Sequence, residues 1–424
     1  MIVFLALAAQ AADPCTILSG ADVWFGPGDR RAADVVIVGE KIAATPAAGT
    51  SKGAWQGSAC TAVAVSGLIT PGFTDPSTQL GDVEISLAEE TVDFTFDENA
   101  PGRPFHAALD VADAYNPRSS LIPVARREGI TSAVVVPAGG QVSGRSAWVD
   151  LTGTLQAEAI VRAPLALEAN LGGPSKAEAL DLLEAFFEDA IVYRKNPGAF
   201  DRGRMDTTDA TRRDLEAAFP VLDGKIPLVV EADRASDLEA VLRLAKRFGI
   251  RLVVSGGAEA WIVADALAAA KVTVILNPLI YGLQSFDTMR ARRDNAALLE
   301  KAGVRVLVSS FSAHNPRQLR ILAGNAVREG MTHEGAMVAV TSGAADTFGV
   351  ADHGRIAPGQ IANLVVWKGA VPELRDDPFD PSTGVTAIFV RGKSIALVSR
   401  QTELRDRYRT LPGTPAPVAL PTTR

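Results

Sequence analysis

Gly67-Leu68-Ile69-Thr70-Pro71-Gly72-Phe73-Thr74-Asp75-Pro76-Ser77-Thr78-Gln79-Leu80-Gly81 is the stretch on which the reading of this chain turns. It opens on a candidate strand, Leu68–Thr74, and Ser77 and Gln79 follow at the strand's end. A serine hydroxyl and a carboxamide oxygen bind a zinc-like ion weakly, whereas neutral imidazole binds it strongly. The segment therefore carries a strand signal and no metal signal.

Outward from this segment, from Leu68 to Val350, strand-like runs alternate with helical ones, the pattern of a parallel α/β fold. Candidate strands are Leu68–Thr74, Ile130–Val136, Ala147–Thr152, Ala163–Ala169, Ile226–Ala232, Ile250–Ser255, Val272–Leu276 and Val304–Ser309. Eight parallel strands is the number that closes a TIM-type (β/α)8 barrel. Ser236-x-x-Glu239 reads as a capping box, and Leu238, Val241, Leu242, Ala245 and Phe248 repeat at helical spacing until Gly249 stops the helix.

The flanks read differently. Cys15–Ser19, Asp34–Val38, Lys41–Ala44 and Ala62–Ser66 are short strands broken by Gly26-Pro27-Gly28 and Gly39-Glu40, and a matching set returns at Ala362–Trp367, Thr386–Arg391 and Lys393–Val398, with Gly392 at a hairpin turn. Neither set makes a stable sheet alone, so the two are expected to pair into one composite β-sandwich. The expected organisation is a signal peptide over 1–11, a sandwich over 12–67 and 355–400, a barrel over 68–354, and a C-terminal helix with a flexible tail over 401–424. The proline- and threonine-rich end from Leu411 to Arg424 cannot bury enough surface to fold by itself.

Four quoted segments, taken in order, resemble the amidohydrolase superfamily, and its imidazolonepropionase-like secreted members in particular. The first is Pro71-Gly72-Phe73-Thr74-Asp75, where the superfamily reads Pro-Gly-Phe-Ile-Asp-x-His-x-His. Asp113-Ala114-Tyr115-Asn116-Pro117 with Ala125–Thr131 follows, then Val142–Ala147, and last Gly354-Arg355-Ile356 through Asn363-Leu364-Val365-Val366-Trp367. Asn363 stands where the usual closing motif has Asp. The resemblance implies one or two metals held by the first-strand histidine pair, by histidines ending strands five and six, and by an aspartate ending strand eight. The metal would acidify a bound water into a nucleophile. At those positions this chain carries Ser77, Gln79, Glu231, Gly256 and Phe311, or Ser310 for the last if the alignment slips by one. Only Glu231 offers a good ligand for a divalent ion. No cofactor, no metal and no catalytic residue is therefore expected.

The four histidines are His106, His314, His333 and His353. His106 precedes the first barrel helix and His314 follows strand eight, so both are candidates for the pocket mouth, together with Asp75; the simpler reading makes all four surface or capping residues. Glu231 with Asp75 could form an acid–base pair, although Asp75 reads more simply as retained for the turn of the first strand, and Ser77 as a nucleophile lacks a base in sequence. The acidic run Asp82, Glu84, Glu89, Glu90, Asp93, Asp97 and Glu98 reads as a solvated loop over the barrel mouth. Gly139-Gly140 and Gly256-Gly257 read as turns rather than phosphate cradles.

A chain of 424 residues, 47% of them apolar, can bury a large core, and a net charge of −7 argues against a nucleic-acid surface. After the N-terminus no apolar run reaches membrane-spanning length. Ile2–Ala9 followed by Ala9-Gln10-Ala11 suits signal-peptidase cleavage before Ala12, with a basic leader missing upstream, which points to the periplasm or secretion; a first buried strand is the alternative. Export would let Cys15 and Cys60, the two cysteines, form a disulfide between neighbouring strands; two buried thiols is the alternative.

Two classes of function follow. In one the chain is a non-catalytic member of its family, a subunit of an active amidohydrolase homologue or of a homo-oligomer, or a binder of a small molecule. In the other it hydrolyses amide or cyclic-amide C–N bonds by a metal-independent or relocated-metal route.

Overall fold

Gly72 divides the opening stretch into two strands that serve different sheets. Leu68–Pro71 pairs in parallel with Asp22–Gly26 and antiparallel with Leu364–Lys368, whereas Phe73–Thr78 pairs in parallel with Ile130–Val135. A Cβ at Gly72 would lie 2.0 Å from Thr131 Oγ1, so only glycine fits where the chain changes sheets. The expected single strand Leu68–Thr74 is thereby corrected. The barrel-side strand begins at Phe73 and runs on through Asp75 and Ser77.

The structure is a computed structural model that describes residues 13–94, 103–172, 175–202, 209–280 and 285–409. The expected signal peptide, Asp97 and Glu98 of the acidic run, and the tail from Leu411 lie outside the described residues.

N- and C-terminal strands share one six-stranded sheet, in the order Lys393–Ser394, Gly384–Val390, Leu364–Lys368, Leu68–Pro71, Asp22–Gly26, Asp29–Ala32. A second sheet orders Lys41–Ala44, Val35–Val38, Cys15–Ser19 and Thr61–Ala64. Between them Val23, Ile37, Ile42, Ile69, Leu364 and Phe389 form a separate apolar core. Cys15 and Cys60 are joined by a disulfide, Cα to Cα 4.5 Å, beside the parallel pairing of Thr16 with Thr61. The Asp22–Gly26 and Asp29–Ala32 hairpin was not expected from sequence, because Asp29-Arg30-Arg31 is polar and lies at the sheet edge.

The larger part is an α/β layer. Leu167–Asn170, Leu228–Ala232, Leu252–Gly256, Thr273–Leu276 and Arg305–Val308 run parallel in that order, and Phe73–Thr78 with Ile130–Val135 forms a second parallel pair. The third expected strand departs from the barrel pattern. Ala147–Asp150 lies antiparallel to Ile130–Val135, and Val142–Arg145, just before it, lies antiparallel to Leu167–Asn170. Residues 142–150 thus bridge the two parallel sets through two separate ladders. Among the described residues no ladder joins Arg305–Val308 to Phe73–Thr78, so the backbone hydrogen bonds do not run round a closed barrel.

Side-chain alternation nevertheless sorts these strands into two faces. Leu228, Val230, Leu252, Val254, Val274 and Val306 pack outward against the helices. Val134, Trp148, Val229, Val253, Ile275 and Leu307 pack with one another into an inner cluster, stopped at one end by Phe348 and Val350. The helix Ala235–Phe248 ends at Gly249 with φ +67°, as its sequence implies, but Ser236 does not cap it. Asp237 instead accepts from Arg234 Nε at 3.0 Å, and the expected capping box is absent.

Candidate functional site

The inner face changes character at the C-terminal ends of the strands, where Val229, Val253 and Leu307 give way two residues later to Glu231, Ser255 and Ser309. In register, Glu168 stands beside Val229, Asn170 beside Glu231, and Glu231 beside Ser255. These ends enclose a pocket of about 330 Å³ whose wall includes all five positions singled out in the sequence: Ser77, Gln79, Glu231, Gly256 and Phe311. Larger grooves of about 740 and 850 Å³ open near the opposite strand ends, around Val272 and Val304 and around Ile250. Ligand sites of parallel α/β layers form at C-terminal strand ends, which favours the smaller pocket.

As donors, the five positions supply one carboxylate, one carboxamide and one hydroxyl, with nothing from Gly256 or Phe311. A zinc-like ion is held by imidazole, thiolate or carboxylate, so this set does not fit it. Among the described residues no group of three His, Cys, Asp or Glu side chains is arranged to hold an ion. One position is also shaped against an imidazole. Gly256 has φ +93°, and a Cβ there would lie 2.7 Å from Asp233 Oδ1. Phe311 adopts φ +50° and packs on the inner apolar cluster.

Asp75 is fully buried and does not line the pocket. Its carboxylate accepts from Ser309 Oγ at 2.6 Å, from the Ser310 hydroxyl, and from Ser310 N at 3.3 Å. Burial pushes its carboxyl up to about 6 against the lowering effect of those donors. The proposed Asp75–Glu231 acid–base pair is therefore corrected: Asp75 ties the first strand to the end of the last. Among the described residues no base is seen on the Ser77 hydroxyl, and it is the Ser77 backbone N–H that contacts Asp75, at 3.4 Å.

His106 and His314 belong to separate loops and neither lines the pocket. His106 Nε2 lies 3.0 Å from the Arg103 carbonyl, and His314 contacts Ser86 Oγ at 3.3 Å and the Glu84 carbonyl at 3.1 Å. His333 pairs with Asp377 at 3.0 Å on the surface. His353 is not a surface residue as expected. It is 1% exposed, with Nε2 3.1 Å from Asp150 Oδ2 and Nδ1 2.8 Å from Asp352. Burial lowers its pKa, but Asp150 and Asp352 outweigh that and leave it raised. Asn363 completes this cluster by donating to Asp150 Oδ1 at 2.8 Å. The cluster joins the sandwich to the α/β layer and lies away from the pocket.

Sequence reasoning missed two acidic residues on the pocket wall, Glu168 and Asp233. Glu168 interrupts the apolar run Leu165-Ala166-Leu167, the signal that could have found it. It is 8% exposed, and burial, reinforced by the Glu231 charge, pushes its carboxyl up to about 8. Glu231 and Asp233 are raised too, chiefly by desolvation. Asp82 of the acidic run is likewise not solvated: it is 1% exposed, with its carboxyl pushed up to about 8 by burial and then by Asp93.

No family model matches the chain. An amidohydrolase of Thermotoga maritima MSB8 superposes with a TM-score of 0.77 at 24% identity, covering 90% of this chain and 99% of that one. The chain has the fold of the amidohydrolase superfamily. Within that fold, Aspergillus niger ochratoxinase superposes with a TM-score of 0.54 at 15% identity, covering 90% of this chain and 96% of its own. A prolidase complexed with N-methylphosphonate-L-proline gives 0.55 at 15% identity, covering 90% and 99%. By sequence, the amidohydrolase tasK of Hapsidospora irregularis is 39% identical over 89 residues, which is 19% of this chain and 9% of that protein. The segment shared with tasK is thus a small part of a much longer protein. The pocket of this amidohydrolase-fold chain lies on the strand ends where such folds build their sites.

Proposed function

We propose that this chain is an amidohydrolase-superfamily barrel, imidazolonepropionase-like in its motifs, that has given up the family's metal centre and acts as a non-catalytic binder or subunit. In this reading residues 142–150 stand in as a reversed barrel strand, the leader directs export to the periplasm or beyond, and the partner is an active homologue or a second copy of the chain. One observation carries it. The five ligand positions converge on one pocket wall, yet supply a single carboxylate and no imidazole.

One feature favours the second reading, hydrolysis without metal. Glu168, held up to about 8, and Glu231 on the same wall are two carboxyl groups in unlike environments, the arrangement that separates an acid from a base. The assay that decides offers N-acyl amino acids and cyclic imides to purified protein before and after chelation. The binder reading expects no turnover in either case. Turnover that survives chelation and is lost in Glu231→Gln, with melting unchanged, overturns it in favour of the hydrolase.

A further inference from the structure

Glu168 is set one residue pair further down the strands than Asn170 and Glu231, at the level of Val229. Its Oε1 atom is buried and makes no hydrogen bond of ordinary geometry among the described residues; the Ser146 hydroxyl, equally unpaired, stands near enough to offset part of the burial. An acceptor left short of donors inside a folded protein is destabilising, and a ligand donor brought to this carboxyl would offset part of that deficit. Glu231 and Asp233 stand on the same wall, and one Asp233 oxygen already accepts from Ala258 N at 3.0 Å. Among the described residues no lysine or arginine lines the pocket. The nearby ammonium of Lys176 is engaged by the Leu171 carbonyl at 2.8 Å and by Asp287 at 2.9 Å. Phe311 adds an aromatic ring to the wall.

We propose that this pocket binds a small organic cation, a primary ammonium or guanidinium compound, with Glu168 as its innermost acceptor. The proposal rests on the binder reading above. The carboxylates are spread over the wall rather than gathered about one point, and among the described residues none are grouped to hold an ion. A cation that carries several N–H donors spans such a wall where a single metal ion cannot. A pocket of about 330 Å³ is at the small end of ligand sites, matching a short amine or guanidine.

Titration calorimetry of the full chain with agmatine and with cadaverine, and with 1,5-pentanediol as uncharged control, tests this. At least one cation is expected to bind at a single site while the diol gives no heat, and Glu168→Gln should weaken binding tenfold or more with melting retained. Glu231→Gln, on the more open wall, should also weaken it and serves if Glu168→Gln fails to fold. Absence of binding by both cations, equal binding of the diol, or cation affinity unchanged in the variants overturns the proposal. Zinc titrated alone separates the two claims: silence towards zinc and both cations removes the cation site and leaves the metal-free reading standing, whereas stoichiometric zinc without cation binding removes both.

Discussion

Ser309 donates its hydroxyl hydrogen to Asp75 across 2.6 Å, linking the end of the last parallel strand to the first where no backbone ladder joins them. The carboxylate is fully buried, so each donor counts. Ser309→Ala is expected to cost about 1–3 kcal/mol, measured by urea unfolding. The sign with pH follows from a folded-state pKa of about 6 against 3.8 unfolded. The stabilising contribution is complete below pH 3.8 and is lost as pH rises through about 6. Removing a donor to the charged form raises that pKa further, so the variant's deficit should be larger at pH 8 than at pH 4.

Asp82 extends the same argument to the loop after the first strand. Neither of its carboxylate oxygens has a partner among the described residues, and its carboxyl is raised to about 8. The parent should therefore lose stability progressively between pH 4 and 8. Asp82→Asn removes the charge, and it should exceed the parent by about 2–4 kcal/mol at pH 8.5 while matching it near pH 4. Equal stability at pH 8.5 would contradict the burial.

Asn363, where the resemblance leads one to expect Asp, has a structural reason. Its Nδ2 donates to Asp150 at 2.8 Å and to Ser132 at 3.1 Å, and its Oδ1 accepts from Arg391 N at 2.7 Å. Asn363→Asp would set a second carboxylate against the buried Asp150 and remove both donations. A loss of about 2–4 kcal/mol is expected, larger at pH 8 than at pH 5, with no change in pocket binding.

Gly256 is the ligand position least able to be restored. Gly256→His is expected to lower stability by about 1–3 kcal/mol through its positive φ alone, and Asp233 stands where the new Cβ would go. Gly256→His with Asp233→Ala should recover part of the loss, read from thermal melts of the two variants. A single variant as stable as the parent would mean that the backbone there tolerates a side chain.

How much of this was legible in the sequence depended on how far each signal reaches along the chain. Short continuous apolar runs such as Leu228-Val229-Val230 and Leu252-Val253-Val254 marked the parallel strands, and the glycine after Phe248 marked a helix end, because those signals are local. The direction of Ala147–Asp150 was not legible. An antiparallel and a parallel strand have the same alternation, and only the ladder with Ile130–Val135 sets the direction. Gly72 looked like part of one strand because its sheet change is imposed by Thr131, far along the chain. At the site, the convergence of Ser77, Gln79, Glu231, Gly256 and Phe311 followed from their positions at strand ends. Glu168 is not legible because an acidic residue in an apolar run reads as exposed until its neighbours are placed, and His353 reads as a surface or capping group because Asp150 is remote in sequence.

The central claim is that the pocket holds no metal centre of the family's kind. Zinc titration with thermal melting, alongside elemental analysis of the protein as isolated, tests it most directly. Binding to the native state alone would raise stability by about 2.7 kcal/mol at a hundredfold excess over Kd. The account predicts well under one equivalent of transition metal and a melting temperature unmoved by zinc. One equivalent of zinc, with a rise in melting temperature that Glu231→Gln abolishes, would contradict it.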